Sequence, residues 1–229
     1  MTKTKKKEIP PQQANKGSQA VASQVNTIVI QKPKIEILVG GPYKLNGEEH
    51  NYGHTALRVT TNNIDIIYDF GRYGKTWGTG DSEGEGVLNV WDNFQKYIAA
   101  ENSLGRKTSG FVYNIEAQKA DLIIKWYQAL IEGGKLMTSR SGMKRYKIQH
   151  DYHALSFNCT TISLDGARRG IEGIDAGSAK FIEGRSLKFS EKLASRAVGW
   201  PNKLFMPADL HAFLTSKKDT VKINEYKNK

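Results

Sequence analysis

The chain of 229 residues holds one cysteine, Cys159, and five histidines, at 50, 54, 150, 153 and 211. A cysteine acts as a nucleophile in its thiolate form, and histidine is the usual group that takes the thiol proton and later protonates the leaving group. Cys159 follows the apolar run His153-Ala154-Leu155-Ser156-Phe157 and opens a segment, Ile162 to Arg169, that can form a helix. A thiol at such a strand-to-helix junction sits in the positive field of the helix N-terminus, which favours thiolate. The competing reading is an inert buried thiol.

His54 directly follows Gly53 and starts the run His54-Thr55-Ala56-Leu57-Arg58-Val59. The run Ile64 to Phe70 follows the turn Thr61-Asn62-Asn63, which predicts a β-hairpin. Residues 54 and 69 lie at similar distances from Asn62, so the hairpin brings them to one end. Asp69 can there accept a hydrogen bond from the imidazole, fix its tautomer and stabilise the imidazolium. Cys159, His54 and Asp69 thus make a nucleophile, a base and an orienter. Each also has a structural alternative: His54 bonded only for packing, and Asp69 as a turn-forming aspartate before Phe70-Gly71. An acyl transfer further needs donors for the oxyanion. The Cys159 backbone N–H is the natural first one, with Tyr52, Tyr43 and Asn158 as alternatives for the second. Trp77, Tyr52 and Asn158 are the expected substrate contacts.

Positioning these residues requires strands and helices in a particular order. Residues 1–24, rich in Lys, Gln, Ser and Pro, read as a flexible basic arm; 25–216 as one hydrolase domain; and 217–229 as a basic tail. Strands are expected at Val25–Ile30, Ile35–Val39, the hairpin, Val87–Trp91, Phe111–Ile115 and just before Cys159. Asp92 is the expected cap of a helix to about Glu101. Ala117–Glu132 carries the clearest helical stripe, Ala120, Ile123, Ile124, Tyr127, Leu130 and Ile131, stopped by Gly133-Gly134. The loop from Gly71 to Gly86 holds six glycines, its two ends included. It reads as a mobile loop beside the site, because it lacks the Gly-Lys-Ser/Thr ending of a phosphate cradle. Strands adjacent in sequence favour an α+β fold, a small antiparallel sheet packed against helices.

Net charge is +11 and the isoelectric point about 9.6, which attracts polyanions such as nucleic acid, anionic cell-wall polymers, acidic lipids or an acidic partner. Lys144-Arg145-Tyr146-Lys147 comes without a nucleic-acid recognition signature, so it reads as a solvated basic edge and no specific nucleic acid is expected. No apolar run approaches the roughly 18 residues of a transmembrane segment. No Sec-type signal follows the basic N-terminus, so the expected route is synthesis in the cytoplasm and export without a cleavable signal. One cysteine excludes an internal disulfide, and His150-Asp151-Tyr152-His153 is a weak metal motif. Neither a metal nor another cofactor is expected.

Gly53-His54-Thr55-Ala56-Leu57-Arg58-Val59, then Tyr68-Asp69-Phe70-Gly71-Arg72-Tyr73-Gly74, and later Phe157-Asn158-Cys159-Thr160-Thr161 resemble the circularly permuted NlpC-like, papain-fold cysteine hydrolases. In that group the histidine strand precedes the cysteine helix. The resemblance implies Cys159 as nucleophile, His54 as base and Asp69 as the polar third residue. It spans about residues 50–74 and 150–170. Papain-like enzymes often carry a glutamine shortly before the cysteine, whereas Gln149 lies ten residues upstream. The glycine-rich loop with Trp77 resembles antibacterial effectors of this fold delivered by type VI secretion. That implies a peptidoglycan stem-peptide amidase or endopeptidase sent to a target cell's periplasm, with a secretion-apparatus carrier and a cognate immunity protein. Other branches of the group imply lipid acyltransferase, thioesterase or protein isopeptide chemistry. A non-enzymatic basic binding module is the remaining alternative.

Overall fold

The computed structural model describes residues 32–45 and 48–227. The N-terminal arm and the strand expected at Val25–Ile30 lie outside the described residues. The chain forms β1 (Lys34–Gly40), β2 (Tyr43–Leu45), β3 (Glu48–His50), β4 (His54–Thr60), β5 (Asp65–Gly71), β6 (Thr76–Trp77), β7 (Glu83–Gly84) and β8 (Val87–Trp91). There follow α1 (Phe94–Ser103), β9 (Thr108–Asn114), α2 (Ala117–Ile131), β10 (Lys135–Arg140), β11 (Met143–Lys147) and β12 (Tyr152–His153). The remainder is α3 (Cys159–Gly170), α4 (Phe189–Val198), α5 (Pro207–Ser216) and β13 (Lys222–Tyr226). The fold is α+β. An eight-stranded antiparallel sheet runs in the order β10-β11-β8-β5-β4-β1-β9-β13, and β12-β7-β6 form a small second sheet.

Side-chain alternation sorts the large sheet into two faces. Ile35, Ile37, Leu57, Val59, Tyr68, Phe70, Leu88 and Phe111 point to one side, where they pack with Ala120 and Ile123 of α2, Ile162 and Leu164 of α3, and Leu210 and Phe213 of α5. Leu38, Ala56, Ile67 and Trp91 point to the other side, against Phe94, Tyr97 and Ile98 of α1. The α2 stripe buries Ala120, Ile123 and Tyr127, and Tyr127 stacks on Tyr68 at 3.7 Å between centroids. Trp126, its neighbour on the helix, is left half-buried.

Four expectations need correction. The sheet is larger than a small one, because residues 135–147, read as mixed and basic, form its β10–β11 edge. Part of the expected tail is β13, which pairs with β9 at the opposite edge. The reason is a buried carboxylate: Glu36, 3% exposed in β1, accepts hydrogen bonds from Asn224 and Tyr226 at 2.7 Å each and from Arg58 at 3.0 Å. Without those donors, burying the charge would be costly. The α1 cap is Asn93, one residue beyond Asp92, and its side chain accepts from the Lys96 N–H at 3.0 Å. The Gly71–Gly86 stretch is organised as β6, a 3₁₀ turn and β7 rather than a structureless loop.

Gly166 lets α3 approach α2: a Cβ there would stand 2.7 Å from the Tyr127 ring and 3.0 Å from Leu57. Tyr127 is wedged against Tyr68 and has little room to yield. Gly166→Val should therefore cost about 1–3 kcal/mol of stability, read as a lower urea midpoint with an unchanged slope.

Candidate active site

The predicted hairpin forms, and its register explains how His54 meets Asp69. Leu57 pairs with Tyr68, so continuing that register sets Asp69 opposite Ala56. His54, two residues from Ala56, lies on the same face and diagonal to Asp69. The small Ala56 side chain leaves room for the ring to cross. The His54 Nε2 stands 2.6 Å from the Asp69 Oδ1, and both residues are buried. Gly53 sets the approach. It holds φ +70, and a Cβ there would meet the Gly40 carbonyl oxygen at 2.5 Å.

Cys159 reaches the same place from the opposite side of the sheet. It is the first residue of α3, whose flank packs on β4 and β5, and the Thr55 and Thr160 hydroxyls join strand and helix at 3.2 Å. The His54 ring and the Thr55 backbone N–H lie close enough to the thiol to favour its ionised form. With Nε2 turned to Asp69, Nδ1 is the ring nitrogen left for the thiol. The segment before Cys159 is not the strand expected from its apolar run. Residues 154–156 form a turn, closed by Phe157 N–H donating to the His153 carbonyl and His153 N–H to that of Phe157.

Asp69 is the anchor of the group. Its Oδ1 accepts from His54 and from the Tyr73 hydroxyl at 2.7 Å, and its Oδ2 from Asn89 Nδ2 at 3.1 Å and Trp91 Nε1 at 3.2 Å. Asn89 lies directly across from Asp69 on β8, and Arg145 directly across from Asn89 on β11. Arg145 Nε donates to Asn89 Oδ1 at 2.8 Å, which directs the Asn89 amide N–H₂ towards Asp69. Arg145 is thus half-buried and engaged, which corrects its reading as part of a solvated edge. Tyr73, Asn89, Trp91 and Arg145 escape a sequence reading because non-local strand pairing brings all but Tyr73 to the site.

Burial opposes charge on both partners, but their mutual attraction wins. Burial alone lowers the His54 pKa, yet Asp69 and then Cys159 raise it to about 10. Burial alone raises the Cys159 pKa, yet His54, the Thr55 N–H and Thr160 bring it below its usual value. Asp69 is held below the ordinary carboxylate value, because His54, Tyr73 and Asn89 outweigh its burial. These directions favour a thiolate–imidazolium pair.

The expected substrate contacts fare differently. Asn158 is 2% exposed and caps α3: its Oδ1 accepts from the Thr160 and Thr161 N–H groups, and its Nδ2 donates to the Ala154 and Phe205 carbonyls. All its hydrogen-bonding capacity is used, which corrects both its substrate-binding and oxyanion assignments. Tyr52 is partly exposed, with its hydroxyl donating to Glu191 of α4. Trp77 is partly exposed on β6, its indole N–H on Glu83, in the small sheet whose strand β12 precedes Cys159. Tyr43 stacks on His50 at 4.5 Å. Tyr152 was not singled out, yet its phenol lies close enough to Cys159 for the sulfur's charge to raise its pKa, after burial. The other histidines have local partners: His153 Nδ1 accepts from the Leu155 N–H, His150 leans on Phe157, and His211 meets Ser109. Among the described residues no three His, Cys, Asp or Glu side chains stand together as a metal site. No family model, curated protein or solved structure matches the chain.

The pair sets a pH signature. Iodoacetamide should alkylate Cys159 with a midpoint below the ordinary thiol value of 9.0, and His54→Ala should raise that midpoint, because burial is then opposed only by the Thr55 N–H and Thr160. A wild-type midpoint at or above 9 would show that no ion pair forms. Stability follows the same groups. The contribution of His54 is complete below its unfolded value of 6.5 and is lost as pH rises through about 10. That of Asp69 is present above its unfolded 3.8 and is lost as pH falls through its lower folded value. In urea titrations across pH, Asp69→Asn should remove both limbs.

Asn158→Ala should destabilise α3 by about 0.5–2 kcal/mol through the lost cap. It also strands the buried Phe205 carbonyl and the half-buried Ala154 carbonyl, so thermal unfolding should place the loss at the upper end of that range.

Proposed function

We propose that the chain is a cysteine-dependent amidase of permuted NlpC-like, papain-type fold that cleaves peptidoglycan stem peptides. The observation that carries this reading is the joint placement of the Cys159 thiol, the His54 ring and the Asp69 carboxylate, with the thiol on the first residue of a helix. The order of histidine strand before cysteine helix supports the permuted fold.

The residues suit the following steps. The Cys159 thiolate attacks the amide carbonyl carbon, and the carbonyl π electrons move to oxygen. The Cys159 backbone N–H, at the N-terminus of α3, donates to that oxyanion. The His54 imidazolium gives its proton to the leaving amine as the C–N bond breaks, leaving a thioester. Neutral His54 then takes a proton from water, whose oxygen attacks the thioester and releases the acid and the thiol. The phenol of Tyr152, within electrostatic reach of the sulfur, is the second oxyanion donor in this scheme. Asp69 stays ionised throughout and holds the ring.

The reading extends to an antibacterial effector delivered to a target-cell periplasm, with a carrier and an immunity protein as partners. No described helix is long and apolar enough to cross a membrane. The high positive charge suits anionic wall polymers.

Purified sacculi incubated with wild type should release peptide fragments that Cys159→Ala does not release. Identical fragment patterns from the two proteins would overturn the reading. Tyr152→Phe should lower kcat by about 10²-fold, the typical loss of one oxyanion donor, with little change in the pH midpoint of Cys159 alkylation.

A further inference from the structure

Helix α4 is turned inside out. At helical spacing, Phe189, Ser190, Leu193, Ala194 and Ala197 form one arc, and every one of them is exposed. Phe189 is 83% and Leu193 61% exposed, while Ser195 is the residue that the helix buries. Glu191 and Lys192 are half-buried on the inward side. An amphipathic helix packed on its own protein would show the reverse. Val198 adds a further 78%-exposed apolar side chain at the helix end.

The charges around this face indicate what covers it. Lys188, Lys192 and Arg196 lie on the helix, and Lys180, Arg185 and Lys203 lie on its flanking segments. The nearby acidic groups are already committed. Glu191 accepts from the Tyr52 hydroxyl and the Lys188 N–H, and Glu183 pairs with Arg185 at 2.9 Å. An apolar arc bordered by Lys188 and Arg196, with Lys180 and Lys203 on the flanking segments, is the pattern of a helix that lies in a lipid interface, with cations reaching headgroup phosphates. A second copy would set like charges face to face.

We propose that α4 is a docking face for an anionic lipid bilayer, with Phe189 and Leu193 entering the acyl boundary and Lys188 and Arg196 meeting lipid phosphates. The Tyr52–Glu191 hydrogen bond ties the inward side of α4 to the residue two before His54. The inference stands on α4 alone and does not depend on the bond that Cys159 cleaves.

The test is co-sedimentation of the full chain with phosphatidylcholine vesicles, with and without about 30% phosphatidylglycerol, at physiological salt. Wild type should bind the anionic vesicles at least about tenfold better than the neutral ones. F189S/L193S should bind them about tenfold more weakly, while its Cys159 alkylation rate, which reports an intact fold, is unchanged. Undiminished binding by F189S/L193S would assign the attraction to the basic tails and overturn the proposal. So would no binding by wild type, or a dimer in size exclusion that the double substitution dissolves.

Discussion

A carboxylate buried at 3% exposure and still ionised is the constraint around which this site is built. Asp69 has no water shell to stabilise its charge, so the protein must supply donors. It supplies four, two to each oxygen, from a histidine, a tyrosine, an asparagine and a tryptophan. Asparagine, tryptophan and tyrosine are neutral, and the first two are fixed by β8 of the sheet. Only His54 can answer with a charge. The imidazole takes the thiol proton and becomes the imidazolium that Asp69 stabilises, so the lowered pKa of Cys159 traces back through His54 to a carboxylate on β5. Removing the negative charge at Asp69 would leave a buried imidazole whose protonation burial alone resists.

The parts of this arrangement that were legible in the sequence are the local ones. Hairpin register follows from turn position and alternation, so His54 and Asp69 can be placed together without knowing any other strand. A helix opening at Cys159 is likewise legible, although its cap proves to be Asn158, which the capping removes from substrate contact. What was not legible depends on distant pairing. Nothing near Asn89 or Arg145 in sequence says that β8 and β11 line up beside β5 with both side chains on the α1 face. The same holds at the other end of the sheet. Lys222 to Tyr226 is polar enough to read as a tail, and only the buried Glu36, 186 residues earlier than Lys222 (222 − 36), explains why it is a strand. Apolar periodicity misled once: residues 153–157 are apolar but close into a turn, because the chain must reverse before α3.

The two faces of the large sheet divide the work. The face carrying α2, α3 and α5 holds most of the aliphatic core and fixes the helix that presents the thiol. The α1 face holds the polar row from Asp69 to Arg145 beneath aromatic cover from Trp91 and Tyr97. The thiol and imidazole meet where β4 begins, at the sheet end, which is the place where groups from opposite faces can touch. That position also explains the need for Gly53, since the chain enters β4 there with no space for a side chain.

The row Asp69, Asn89, Arg145 runs straight across three neighbouring strands. A slip of β8 by one residue would replace Asn89 by an apolar neighbour, Leu88 or Val90, and turn Trp91 to the other face. Asp69 would then be buried with half its donors missing, at a cost of several kcal/mol for an uncompensated charge. Mispaired sheets are penalised at the very residue that prepares the thiolate. A chain that has failed to align its sheet therefore also leaves His54 without the charged Asp69 partner that lowers the Cys159 pKa through it.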